Sequence, residues 1–437
     1  MVAERMGGGP TCLTFTSPAP VQTASSLNFP AHLLHDRRST TVHRQTLFLL
    51  LFAVLSVRTQ TAIRADQPDA AAPPRIAAVE AAMQDMIDAH EIIGAVTLVG
   101  HQGELAHLSA VGLADTDAPR PMQIDTPFAI ASMTKPITAT LLMMLVEEGK
   151  VALEDPASKY IPSFADVRLA SGATPSTPIT VWNCLTHTSG LTGTQAVTAT
   201  LAETANEIAT RKLAFDPGQQ WKYGPGLTVA ARVIEVASQT DFETFLRQRL
   251  LLPLQMTRTT FRPTEDVQKR MAKIHTRASA NDSGSDLVPA ENHIVDYEIM
   301  IGPNPSGGLV STAGDLFRFY EMIRRGGEYE GRRYLQTDTV TRMTTLQTGD
   351  LQTGFTPGNG WGLGWCIVKE RQGVSKMLSP GSYGHGGAFG TQGWIDPESE
   401  TVYVLMIQRT KMGNSDASAV RENFQSAAAN HLAKIAE

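Results

Sequence analysis

Ser132-Met133-Thr134-Lys135 is the only S-x-x-K in the chain, and it opens an apolar run that reads as helix over 136–149. A spacing of three on a helix brings the serine hydroxyl and the lysine amine to one face, a turn apart. The serine is expected in the first turn, where free backbone N–H groups and the helix dipole favour a developing anion. A serine hydroxyl attacks a carbonyl only when a neighbouring base takes its proton. A lysine, with a reference pKa of ~10.4, serves as that base only when burial or nearby positive charge keeps it neutral. The four residues therefore specify nucleophilic acyl chemistry, provided that a proton relay, oxyanion donors and a substrate wall exist elsewhere.

Tyr223 stands at a Gly/Pro-rich corner, Trp221-Lys222-Tyr223-Gly224-Pro225-Gly226, just ahead of a helical run. Beside a charged lysine its pKa would fall and let it relay a proton. Taken alone, packing at a helix start is the better account of such a tyrosine. His385, with Gly384, Gly386 and Gly387 around it, precedes a C-terminal strand; these glycines let another backbone or a ligand come close. An edge strand there would present a backbone N–H, that of Ala388, to an oxyanion, whereas a plain glycine turn with a surface histidine is the simpler alternative. Trp361 or Trp365, in Gly360-Trp361-Gly362-Leu363-Gly364-Trp365, offers an aromatic wall for substrate or else core packing. His187, within Leu185-Thr186-His187-Thr188-Ser189-Gly190, reads as part of a hydrogen-bonded turn. The segment 307–315 reads as a turn and a capped helix near the cleft, with Ser311 or Thr312 at the cap.

Elements that would position these residues follow from periodicity. Helical spacing covers 76–90, 228–237, 242–252, 312–325 and 417–435, and 281–292 reads as a polar loop. A hairpin is expected over 95–111 with its turn at Gln102-Gly103, and a second one over 390–408 turning at Pro397. Strands at both ends of the chain with helices between them predict an α+β fold: an antiparallel sheet formed by the two chain ends, flanked by helices, with a mainly helical region inserted over about 134–315.

Composition excludes other classes. With 437 residues, 42% hydrophobic and 18% charged, the chain is a globular protein. A net charge of -6 and a pI near 6.0 give no electrostatic footprint for nucleic acid. Three cysteines form no disulfide framework or C-x-x-C pair; Cys184 and Cys366 lie in apolar runs and Cys12 near the N-terminus. No zinc motif, P-loop, Rossmann glycine pattern or G-x-S-x-G elbow occurs, so neither metal nor cofactor is expected. Arg37, Arg38 and Arg44 precede the apolar stretch 47–57, and small residues follow at Ala62 and Ala65. That order is a signal peptide's, so residues 1–74 read as a targeting segment and linker, with the folded domain over 75–437 and export to the periplasm or medium expected. A single N-terminal membrane anchor is the alternative.

The ordered set over 76–436 resembles the serine β-lactamase/penicillin-binding-protein superfamily, in the branch shared by class C β-lactamases, D,D-peptidases and family VIII carboxylesterases. Ala131-Ser132-Met133-Thr134-Lys135-Pro136 matches the first motif, Tyr223 the second motif's tyrosine, and His385-Gly386-Gly387 the third; 185–190 and 308–315 are similar to further family blocks. The resemblance implies the β-lactamase/transpeptidase-like fold, Ser132 as acylated nucleophile, Lys135 as its activator and Tyr223 as proton shuttle. It implies an oxyanion hole from the N–H groups of Ser132 and Ala388 and substrate contacts from His385, Gly386 and Gly387, to which the residue pattern adds Trp361 as a candidate wall. Two departures matter. The usual Y-x-N is Tyr223-Gly224-Pro225 here, which removes an amide, and His385 stands where lysine is common, which removes positive charge. Both favour a small carboxylic ester as substrate. The alternatives are a β-lactam or D-alanyl peptide amide, and a non-catalytic sensor on the same scaffold.

Overall fold

The hairpin at the N-terminal end, β1 (Gly94–His101) and β2 (Glu104–Asp115), forms around Gln102 and Gly103, whose φ of 52° and 87° suit the two-residue turn that matches strand twist. The computed structural model describes residues 72–193, 198–277, 286–290, 302–354, 356–412 and 415–436, all within the unit Ala71–Glu437. The expected leader, including 47–57, lies outside the described residues. Among the described residues no helix is long and apolar enough to cross a membrane.

The remaining sheet strands are β3 (Arg120–Pro121), β6 (Asn359–Trp361), β7 (Cys366–Val368), β8 (Tyr383–Gly386), β9 (Gln392–Asp396) and β10 (Thr401–Met406). A separate two-stranded ladder joins β4 (Phe128–Ala129) to β5 (Val310–Ser311). The main sheet is antiparallel in the order β6-β7-β8-β9-β10-β1-β2-β3. Its centre pairs the first strand with the last, Val96 opposite Met406 and Val99 opposite Tyr403, so the two chain ends do build the sheet. Alternation sorts the faces: Ala95, Val99 and Leu405 pack under α1 (Ala77–Asp88) and α6 (Ala419–Ala436), while Val96, Leu98 and Val404 face the larger core.

Four helices matter on that second side: α2 (Thr134–Glu147), α3 (Val181–Thr186), α4 (Gly226–Ser238) and α5 (Ala313–Arg324). Helix α2 is buried from Thr134 through Leu145, the pattern of a helix enclosed on every side. Thr312 caps α5, its hydroxyl accepting the Asp315 N–H at 3.3 Å, as the sequence suggests. Helix α3 starts on the reciprocal Thr180/Asn183 capping box and stops at His187, in the left-handed conformation. Two expectations change. The run read as one helix over 242–252 is an α-helix only over Phe242–Leu246 and continues as a π-helical turn over Arg247–Leu251. Part of the polar loop at 281–292 is a short strand, Val288–Pro289 paired with His275–Thr276; residues 281–285 and 291–292 lie outside the described residues.

Candidate active site

Ser132 lies in a 3-10 turn, Ala131–Met133, between β4 and α2. It therefore precedes the α-helix instead of sitting in its first turn. The chain turns at Ala131, whose φ of 44° is a left-handed conformation that costs a non-glycine residue about 1–2 kcal/mol. Neighbouring bonds hold that turn. Ile130 N–H donates to the Leu309 carbonyl at 3.0 Å, and the Thr134 hydroxyl donates to the Ala131 carbonyl at 2.7 Å while accepting the Leu309 N–H at 3.3 Å.

Lys135, three residues on, brings Nζ to 3.2 Å from Ser132 Oγ, as its spacing predicts. Only 3% of its surface is exposed, and Nζ donates to the Ser306 carbonyl at 2.6 Å. Burial pushes its pKa down to about 7. A neutral amine so placed spends an N–H on Ser306 and keeps its lone pair for the serine proton. Sequence reasoning missed Ser306, because its part is played by a backbone carbonyl that no side-chain pattern marks.

Tyr223 reaches the same point from the corner before α4. Its hydroxyl hydrogen-bonds Ser132 and lies 3.5 Å from His385 Nε2, and Lys135 Nζ sits 4.6 Å from its ring centroid. The expectation of a lowered phenol pKa is overturned: burial holds it well above the ordinary tyrosine range. Desolvation penalises the phenolate, and a lysine that is itself half-neutral near pH 7 supplies little compensation.

His385 is 3% exposed, so it is no surface residue. Its Nδ1–H donates to the Gly386 carbonyl at 2.6 Å, which leaves Nε2 as an acceptor facing the phenol. Burial lowers its pKa to about 3, so the ring is neutral at physiological pH. Strand β8, which carries it, is not an edge strand; β6 and β7 extend the sheet past it. Gly387, just after β8, packs against the serine turn, where a Cβ would stand 2.5 Å from the Ile130 carbonyl oxygen. Beyond it Gly387 N–H bonds the Thr391 carbonyl at 2.7 Å, closing a turn that leaves the N–H of exposed Ala388 without an acceptor among the described residues.

The tryptophans divide. Trp361, 2% exposed, packs its ring 5.5 Å from His385, 5.9 Å from Tyr223 and 5.1 Å from His187, so it backs the site instead of fronting a substrate. Trp365 belongs to the core. His187, read from sequence as part of a structural turn, lies against Tyr223 with ring centroids 4.4 Å apart. Cys184 and Cys366 are free thiols that burial pushes up to about 12. Among the described residues no cluster of His, Cys, Asp or Glu is arranged to hold a metal ion.

A serine hydroxyl, a buried amine, a phenol and an imidazole thus converge. Comparison with known proteins places that arrangement. The Beta-lactamase family model matches residues 79–428, and the chain belongs to this family as a serine hydrolase. It is 27% identical over 366 residues to esterase EstB of Burkholderia gladioli, covering 76% of this chain and 90% of that protein. It is 29% identical over 309 residues to the D-alanyl-D-alanine-carboxypeptidase/endopeptidase AmpH of Escherichia coli (strain K12), covering 66% and 73%. Among solved structures EstCE1, a hydrolase with promiscuous acyltransferase activity, superposes with a TM-score of 0.69 at 22% identity over 81% of this chain and 97% of that one, which shows a shared fold.

Proposed function

We propose that this chain hydrolyses small carboxylic esters through an acyl-enzyme on Ser132. The observation that carries the reading is the 3.2 Å contact between Ser132 Oγ and a buried Lys135 whose pKa sits near 7. Ser132 Oγ attacks the ester carbonyl carbon as its proton passes to Lys135 Nζ. The N–H groups of Ser132 and Ala388 receive the negative charge on the carbonyl oxygen. As the tetrahedral centre collapses, the carbon–alkoxy bond breaks. Tyr223 gives its proton to the departing oxygen and regains one from Lys135. Water then attacks the acyl carbon, its proton returning through the same pair, and releases the acid and free Ser132.

The preference for esters rests on charge. His385 is neutral where a fixed cation would draw a substrate carboxylate, and Gly224-Pro225 after Tyr223 supply no side-chain amide for an acylamido group. The likeness to EstB agrees with that reading, and the likeness to AmpH supports D-alanyl amide cleavage as the second reading. A short-chain p-nitrophenyl ester assayed beside nitrocefin and a D-Ala-D-Ala peptide separates them. We expect ester turnover to dominate and to fall at least about 10⁴-fold in Ser132→Ala. Turnover of either amide at a rate rivalling the ester would overturn the preference.

Export is part of the proposal. The basic, apolar and small-residue order of 37–65 supports it. Mass spectrometry of the mature protein should find an N-terminus near 62–66; an intact leader would refute it.

A further inference from the structure

His187 holds the residues on both sides of Tyr223. Helix α3 ends on it with φ 58°, a conformation that a non-glycine residue adopts at a cost. There its backbone carbonyl accepts the Lys222 N–H at 2.9 Å, and its Nδ1 accepts the Gly224 N–H at 3.3 Å. Lys222 and Gly224 bracket the tyrosine, so one residue ties down both its neighbours. The imidazole also lies along the phenol ring, with centroids 4.4 Å apart at 35°. Because Nδ1 accepts, the ring proton resides on Nε2, which is buried and has no hydrogen-bond partner among the described residues. The imidazole is 1% exposed, and an apolar side chain would fill the same space without stranding a donor. What an apolar side chain lacks is the acceptor for Gly224.

We propose that His187 is a positioning residue for Tyr223: its carbonyl and Nδ1 clamp the Trp221–Gly224 corner, and its ring face sets the phenol's aim at Ser132 and His385. The inference rests on the acylation roles proposed for Ser132, Lys135 and Tyr223. It makes the T-H-T-S-G segment part of the site's geometry, although no atom of His187 need touch substrate.

A double-mutant cycle tests it. His187→Gly keeps the left-handed backbone and removes the ring; His187→Asn tolerates that backbone and restores an acceptor near the position of Nδ1. Each is made alone, and His187→Gly is also combined with Tyr223→Phe, with kcat, KM and melting temperature measured on the ester. We expect Tyr223→Phe to lower kcat roughly 100-fold. His187→Gly should lower it roughly 10- to 100-fold with KM changed less than about twofold, and His187→Asn should recover to within about fivefold of the parent. The double variant should be no more than about twofold slower than Tyr223→Phe, since the phenol through which His187 acts is already gone. Losses that multiply overturn the inference, as does a His187→Gly enzyme that melts lower but keeps its kcat, or an Asn variant no faster than the Gly one. If neither His187 variant folds, the residue serves stability alone and the inference fails. Full activity in Tyr223→Phe would overturn the tyrosine's role as well, while loss of activity in Ser132→Ala would still report on the nucleophile separately.

Discussion

Trp361 and Trp365 stand four residues apart in one glycine-punctuated segment, and both are buried, at 2% and 0% exposure. Their surroundings share almost nothing. Trp361, on β6, meets the polar rings of His187, Tyr223 and His385. Trp365 lies stacked 6.0 Å from Phe319 and edge-on to Tyr320 and Tyr383. Gly364 makes the separation, turning with φ 79° where a Cβ would stand 2.5 Å from the Cβ of Ala139 on α2. Burial therefore does not distinguish a functional aromatic cluster from a structural one; the chemistry of the neighbours does. The Trp361 side carries groups whose protonation matters, and the Trp365 side carries packing.

That contrast is broken first at Lys135, where function and stability oppose each other. Lys135→Met should abolish ester hydrolysis, on the order of 10⁴-fold or more, since no other amine reaches Ser132 Oγ among the described residues. The same change should stabilise the fold, and more so at low pH. Between pH 7 and ~10.4 the unfolded chain holds the lysine proton while the folded chain does not, so parent stability rises with pH across that window. Below pH 7 the penalty of the buried charge is complete. Melts should show the advantage of Lys135→Met greater at pH 6 than at pH 9 by on the order of 2–3 kcal/mol. An equal advantage at both would mean the lysine is not buried neutral.

Trp365→Ala should cost about 3–5 kcal/mol in denaturant unfolding, the price of a large cavity. At temperatures where the variant is folded, its KM should match the parent. A selective loss of kcat without a loss of stability would erase the distinction between the two clusters.

The titration of the site sharpens it further. With Lys135 as base, kcat/KM should rise as pH increases through about 7 and then stay level past pH 9, because His385 titrates near 3 and Tyr223 ionises only above the ordinary tyrosine range. A falling limb between pH 8 and 9 would contradict a neutral phenol. The smallest effect is expected for Trp361→Phe, which keeps an aromatic face against His385. It should change kcat only a few-fold, near 1 kcal/mol, with little shift in melting temperature.

Much of the architecture was open to reading because local chemistry and tertiary role coincide there. The strands 95–100 and 401–406 are buried along their whole length, and the period of two that marks them as strands also sends alternate side chains to two different cores, while Gln102-Gly103 can turn in few ways. Spacing of three alone brought Lys135 to Ser132. Ser132 falls two residues ahead of the helix instead of in its first turn because Leu309 and Thr134, one of them 177 residues from Ser132, hold Ala131 in a conformation that its own preferences disfavour. His187 was visible as a polar cluster but not as a clamp, since its partners lie at 222 and 224.

By itself the sequence determined which groups are available: one serine with a lysine a turn away, a tyrosine at a rigid corner, a histidine among glycines, and no metal motif. Only the tertiary structure decided their protonation. Lys135 near 7, His385 near 3 and a Tyr223 that stays neutral all follow from burial. Burial depends on how β8, α2 and α4 close around one another, and the free energy of a charge depends on everything that excludes water from it, whatever its distance along the chain.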